Sequence, residues 1–235
     1  MPEQKVSNYL LDNYQDYYQD VDKEWRRLGA LDKVNNILDV CAQVPHSTVL
    51  EIGAGDGAIL QQLDALNFGE KLFAIEIVQN AVERINQLGI PHLAECRLFD
   101  GYTIPYPDDF FDLVILSHVV EHLEYPRALL MEAQRVGRHI FIEVPLEDTA
   151  RLPKDFRFTA TGHINAYHGR GIRHLVQSTG LEVLCQTVIN PSKDVLVYRY
   201  GRRGQLQYWV REIALRIMPR LAQRVFTYHS AILAK

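Results

Sequence analysis

The chain has 235 residues, 47% of them apolar, and a formal net charge of −4 at pH 7. That length suits one α/β domain with a sizeable core, the apolar share excludes a disordered chain, and the mild negative charge excludes a broad electrostatic footprint for duplex nucleic acid. Three cysteines far apart in sequence, Cys41, Cys96 and Cys185, make neither a CxxC zinc pair nor a disulfide framework, and there is no apolar leader or run of about 18 apolar residues, so a soluble cytoplasmic protein, monomeric or homodimeric, is expected.

Residues 1–45 read as a helical cap rich in tyrosine and charge, including Tyr9, Tyr14, Tyr17, Tyr18 and Trp25. A second helix in that cap follows the spacing of Leu31, Val34, Ile37, Leu38 and Cys41 and stops at Pro45. From 46 to 190 the pattern alternates. Strands are expected at 48–52, 71–77, 93–99, 111–116, 139–144 and 181–189, with helices at 58–66, 80–88, 126–136 and 170–179. Pro126 opens the third of these helices and Gly137 closes it. Strands alternating with helices mean a mostly parallel sheet with crossover helices. Residues 191–225 form an inserted helical segment, and 226–235 a last strand, within a single 1–235 domain. The insertion is amphipathic at 206–218 and carries Arg202, Arg203, Arg211, Arg216, Arg220 and Arg224. It reads as a covering helix with a solvated basic face, a substrate lid, a dimer contact, or a shallow membrane contact.

Three features after successive strands point to a bound nucleoside. Val49-Leu-Glu-Ile-Gly-Ala-Gly-Asp-Gly-Ala58 is a strand entering a glycine turn and then a helix. Gly53, Gly55 and Gly57 carry no side chain to block a ligand from the backbone. Glu51 sits where a carboxylate attracts an ammonium group, and Asp56 sits where it caps the next helix. Glu76 ends the second strand, 21 residues after Gly55, and an acid there accepts two hydrogen bonds from a ribose diol. Asp100-Gly101-Tyr102 follows the third strand. Asp100 is placed to accept from an adenine amine, and a backbone N–H of Gly101 or Tyr102 to meet a ring nitrogen; a plain Asp-Gly turn is the other reading.

This order, with Phe111-Asp-Leu-Val-Ile-Leu-Ser-His118 after it, resembles class I S-adenosylmethionine-dependent methyltransferases of the small-molecule type, over about residues 48–188. The resemblance implies a Rossmann-like, seven-stranded, mostly parallel sheet of order 3-2-1-4-5-7-6, with helices on both faces and strand seven antiparallel. It implies that Gly53, Gly55 and Gly57 wrap the methionine part of S-adenosylmethionine, that Glu76 holds the ribose and Asp100 the adenine, and that Ser117 and His118 flank the methionine and the substrate mouth. The turn also fits the dinucleotide fingerprint G-x-G-x-x-A. Against a dehydrogenase stand the acid two residues before the first glycine, the lack of a Tyr-x-x-x-Lys pair and the lack of a second catalytic domain.

His118-Val-Val-Glu-His122 matches the zinc-peptidase pattern H-x-x-E-H, but it directly follows a parallel strand and Pro126 leaves no room for a long helix. In the resembling small-molecule enzymes such a turn is structural or lines the substrate cavity. The segment also resembles the metal-binding Glu-x-x-Glu-His motif of plant small-RNA 2′-O-methyltransferases. Glu121, His122 and a downstream His163 would then hold a divalent ion, although His118 replaces the first glutamate and magnesium prefers oxygen ligands. No metal is expected. His163, in Gly162-His-Ile-Asn-Ala-Tyr167, is the first candidate for general base, with His118 or His122 second, because imidazole titrates near neutrality. A wholly positional mechanism stands beside it. Tyr14, Tyr17, Tyr18 and Trp25 either pack within the cap or close over the ligands. The expected reaction is methyl transfer to an oxygen or nitrogen of a small-molecule acceptor, such as a natural product, a sugar derivative or a quinone-like phenol. The alternatives are a metal-assisted RNA-terminal 2′-O-methyltransferase and a non-catalytic cofactor-binding module.

Overall fold

The computed structural model describes residues 22–154 and 162–235. In chain order it contains α1 (Lys23–Cys41), β1 (Thr48–Ile52), α2 (Ala58–Ala65), β2 (Lys71–Glu76), α3 (Gln79–Gln87), β3 (Leu93–Leu98) and β4 (Phe111–Ser117). A 3-10 turn at Val120–His122 leads to α4 (Pro126–Val136), β5 (Gly137–Pro145), α5 (Gly169–Gln177) and β6 (Val183–Ile189). Three helices, α6 (Lys193–Tyr200), α7 (Arg202–Ile217) and α8 (Pro219–Val225), precede β7 (His229–Ala234). The sheet order is the expected β3-β2-β1-β4-β5-β7-β6, with β7 antiparallel to both β5 and β6.

Alternation along the strands sends side chains to two cores. Leu50, Ile52, Val114, Leu116, Ile140 and Ile142 pack with Leu129, Leu130 and Ala133 of α4 and with Ile172 and Val176 of α5. Val49, Leu113, Ile115 and Phe141 face the other way and pack with Val34 and Ile37 of α1 and with Leu60 and Leu63 of α2. Central strands buried on both faces explain why they read as unbroken apolar runs. Glu51, Ser117 and Glu143 are in phase with Val49, Ile115 and Phe141, so three polar groups lie on the α1 side at the carboxyl ends of β1, β4 and β5.

The described part of the cap is a helix opened by Asp22, whose carboxylate accepts from the Glu24 N–H at 2.9 Å, and the cap before it lies outside the described residues. Two expectations are corrected, the insertion and the start of the last strand. The insertion is three helices rather than one, broken at Gly201 and Met218. The last strand starts at His229, because α8 runs on to Val225. Gly137 closes α4 as expected, its N–H donating to the Ala133 carbonyl, and is also the first residue of β5; a Cβ there would overlap the Val114 side chain, so close packing of β5 on β4 demands the glycine. The tyrosines at 9, 14, 17 and 18 lie outside the described residues.

The cap and the insertion meet. The Asp32 carboxylate accepts from the Ser192 N–H at 2.8 Å, the Tyr198 hydroxyl donates to Asp22, and Trp25 packs against Tyr198 with ring centroids 6.1 Å apart. Gly204 lets α7 lie directly on α6, since any Cβ there would overlap the Leu196 carbonyl.

Candidate functional site

A cavity of about 840 Å³ opens at the carboxyl ends of β1, β4 and β5, under α1 and the α6–α7 pair. That volume lies in the range of small-molecule sites. The place is the one that open α/β sheets use for ligands.

The glycine turn forms one end. Gly53, Gly55 and Gly57 have φ of 71°, 60° and 79°, a left-handed backbone that side chains rarely adopt. A Cβ on Gly53 would come within 2.8 Å of Val119 Cγ2, and one on Gly57 within 2.8 Å of Leu88 Cδ1. Asp56 accepts from the Ala58 N–H at 3.2 Å and pairs with Arg26 of α1 at 3.1 Å, so it ties the turn to the cap as well as serving the helix start.

Glu51 lines this end, and one of its carboxylate oxygens is buried with no hydrogen-bond partner. Burial pushes the carboxyl well above the usual carboxylate range, while Lys33 pulls the other way. Such a group is costly in the bare fold and is satisfied by a cation. Glu76 also lines the cavity. Its two oxygens accept from the Gly55 N–H at 2.9 Å and the Ile77 N–H at 2.7 Å. Burial raises its affinity for a proton and these donors oppose that. The carboxylate therefore shapes the turn and faces the ligand space at once.

Beyond Glu76 the wall is Phe99, Gly101 and Tyr102. Asp100 folds its carboxylate back on its own turn, with one oxygen accepting from the Tyr102 N–H at 2.8 Å and the Thr103 N–H at 2.5 Å. The Tyr102 N–H is thus committed, which leaves Gly101 as the backbone donor that the turn presents.

The other end holds histidines. His118 follows β4 with φ 57°, an uncommon conformation for a non-glycine residue. Its Nδ1 lies 3.2 Å from the fully buried Glu121, and burial first, then Lys33 and His229, hold the imidazole well below its usual range. The His122 Nδ1–H donates to the Gly162 carbonyl at 3.0 Å, and burial lowers this ring's proton affinity too. The His163 Nδ1–H donates to Glu147 at 2.6 Å. Burial alone would lower His163, but Glu147 and Glu121 raise it above its usual range. His122 and His163 meet edge to face at 4.7 Å. With Nδ1 the donor in both, Nε2 is the acceptor nitrogen of each ring.

Between the two ends lies a buried carboxylate. Glu143 accepts from Asn36 of α1 at 2.8 Å and from Ser117 at 2.9 Å, and His229 lies at 3.3 Å. Burial would raise Glu143, yet His229, His118 and Lys33 bring it down to about 2.

Ligand atoms of Glu121, His122 and His163 lie within 4.8 Å of one another, as do those of His118, Glu143 and His229. The H-x-x-E-H peptidase reading has no support in the backbone, since only Val120–His122 form a short 3-10 turn and His118 lies outside it with a left-handed φ, so no α-helix carries the motif.

All the sequence-derived candidates except Asp100, Gly57, Glu121 and the outlying tyrosines line the cavity. Sequence reasoning missed Lys33, Glu143, Glu147 and His229, and placed Arg211 only among the arginines of the insertion. The signal for two of them was present: Glu143 and Glu147 interrupt the apolar run Ile140-Phe-Ile-Glu-Val-Pro-Leu-Glu147, and an acid inside a buried strand needs a partner.

A family model described as a methyltransferase domain matches residues 17–186. A relative named phosphatidylethanolamine N-methyltransferase, from Cereibacter sphaeroides, is 25% identical over 171 residues, covering 66% of this chain and 80% of the relative. The fold is shared with a protein titled a putative sarcosine dimethylglycine methyltransferase, from Galdieria sulphuraria, at TM-score 0.65 and 16% identity, covering 95% of this chain and 97% of that one. It is shared also with the [4+2]-cyclase SpnF, at TM-score 0.63 and 15% identity, covering 86% and 80%.

Proposed function

The chain belongs to the methyltransferase-domain family and is a class I S-adenosylmethionine-dependent methyltransferase, and from that premise we propose that it methylates an oxygen or nitrogen of a small-molecule acceptor held at the histidine end of the cavity. The observation that carries this reading is the His163–Glu147 pair, 2.6 Å apart, on the cavity wall.

The residues present fit the cofactor. The unpartnered oxygen of Glu51 suits the ammonium of the methionine part, the positive-φ glycines leave the backbone open to it, and Glu76 suits the ribose diol. Asp100 holds the turn that offers Gly101 to the adenine, with Phe99 and Tyr102 beside it. When bound, S-adenosylmethionine supplies a methyl group on a sulfonium, an electrophile that needs no metal to activate it.

A hydroxyl acceptor sheds its proton as it is methylated, and an ammonium must shed one beforehand to expose the lone pair that attacks the methyl group. Glu147 fixes the tautomer of His163 so that Nε2 receives that proton, and its negative charge stabilises the imidazolium that forms. His118 and His122, held neutral by burial, are polar contacts that orient the acceptor. A relative named for N-methylation of an amine headgroup supports a nitrogen acceptor as much as an oxygen one. The mild net negative charge favours small molecules over nucleic acid.

A screen of metabolite extracts with methyl-labelled donor identifies the acceptor, and His163→Ala tests the base. The expected outcome is a fall in kcat of about 100-fold or more, with cofactor affinity by calorimetry unchanged. Full activity in the variant would leave a purely positional mechanism.

A further inference from the structure

Helix α7 faces two ways. Its inner side packs on the protein: Gly204 lies against α6, and buried Arg211 donates to the Thr227 carbonyl and stacks over the Phe226 and Tyr228 rings at 5.6 and 5.2 Å. Its outer side is apolar and exposed. Leu206 is 69% exposed, Trp209 56%, Ile213 56% and Ile217 68%, with Val210 among them. At a helical period these residues fall within an arc of about 100°, opposite Arg211. Single exposed apolar residues are ordinary, but a continuous stripe is not. Past Met218, α8 adds exposed Leu221 and Val225.

Arginines edge the stripe. Arg202, Arg203 and Arg216 on α7, and Arg220 and Arg224 on α8, are all exposed. The only acid in the two helices is the half-buried Glu212. In a chain whose net charge is −4 this is a marked local excess of positive charge.

We propose that the outer face of α7 and α8 is a peripheral docking surface for a bilayer that contains anionic phospholipid. An apolar stripe flanked by arginines matches the boundary between acyl chains and phosphates. Guanidinium groups pair with phosphate in a planar, two-bond geometry, and a tryptophan on the stripe suits the headgroup level. No helix of the described residues is long and apolar enough to cross a membrane, so the contact is with one surface. A second copy of the chain fits less well, because two-fold pairing would set this arginine rim close to its own symmetry mate with no acids to receive it. The inner side of α7 lines the cavity through Gln207 and Arg211, beside Leu196, Arg199 and Tyr200 of α6, so docking would place the active site at the membrane surface.

The test uses the full chain, sedimented with phosphatidylcholine vesicles prepared with or without phosphatidylserine. Binding is expected only to the anionic vesicles and should weaken as salt rises. Ile213→Glu with Ile217→Glu, and separately Arg216→Ala with Arg220→Ala, should each lower vesicle partition by about tenfold or more. Both pairs are solvent-facing, so each variant should keep the wild-type affinity for S-adenosylhomocysteine in calorimetry. That readout also separates a failure of docking from a failure of the methyltransferase assignment. Equal partition to both vesicle types, or no partition to either, would overturn the proposal. So would a concentration-dependent dimer in ultracentrifugation that Ile213→Glu dissolves.

Discussion

Glu51→Gln should weaken the cofactor and strengthen the bare protein. The carboxylate sits among buried groups, one oxygen lacks any partner in the fold, and burial holds its proton affinity well above that of a free glutamate. With the cofactor's ammonium beside it, that oxygen makes a charge-assisted hydrogen bond worth about 1.5–3 kcal/mol, so the amide should raise Kd by about 10- to 150-fold. Without cofactor, the ionised wild-type side chain is a burden. Removing its charge should return about 1 kcal/mol, or about 2–4 °C in Tm for a chain of this size. The pH dependence carries a definite sign. An acid whose folded value is raised favours the fold fully below its unfolded value, about 4.3, and that contribution is lost as pH rises toward the folded value. The gain in the Gln variant should therefore be clear at pH 8 and fade toward pH 4–5. Calorimetric titration and thermal melts at several pH values read both effects. An unchanged Kd, or a variant less stable than wild type at pH 8, would refute the assignment of Glu51 to the ammonium.

Two further outcomes rest on the other carboxylates. Glu147 raises His163 above its usual range, and the base works unprotonated, so the rising limb of kcat/KM against pH should lie above about 6.5. Glu147→Gln should move that limb to lower pH and lower the plateau by about tenfold; a limb that stays in place would remove the pair from the mechanism. Glu143 is depressed to about 2, so its stabilising contribution is present above its unfolded value of about 4.3 and is lost as pH falls toward 2. Acid unfolding followed by circular dichroism should show that loss, and Glu143→Gln should flatten it while costing about 3–5 kcal/mol at neutral pH. A variant as stable as wild type at pH 7 would mean the surrounding histidines do not depend on this charge.

The sheet was legible because each central strand is an apolar run ended by a glycine, acid or turn, and the α4 span 126–136 was read to the residue. The cofactor end was legible because its chemistry is local: Glu51 through Gly57 are consecutive, and Glu76 directly ends a strand. The histidine end was half legible. His118, His122 and His163 stood out by residue type, but their partners arrive through long-range pairing. Glu147 meets His163 across 16 residues, Asn36 meets Glu143 across 107, and His229 meets Glu143 across 86. No local pattern encodes such contacts. The insertion misled because its apolar stripe faces solvent. Both faces of α7 carry apolar and arginine side chains, so periodicity alone does not say which is buried, and Gly204 rather than a hydrophobic residue marks the inner side.

The antiparallel last strand explains how the two ends become one site. Glu51, Ser117 and Glu143 stand on one face of neighbouring strands, and a strand spacing of about 4.8 Å puts roughly 10 Å between β1 and β5, a span suited to a methionine chain with an acceptor beyond it. A parallel neighbour on β5 would offer its carboxyl end at this edge. Because β7 runs the other way, it offers its first residue, and His229 lies opposite Pro145, within reach of Glu143. The chain must then enter β7 from the cavity side of the sheet, so the segment just before it is forced to cross above the site. That crossing is α6 to α8. The same reversal that brings His229 to the buried carboxylate thus also roofs the cavity with Arg211 and Tyr200 and leaves the outer face of α7 turned away from the core.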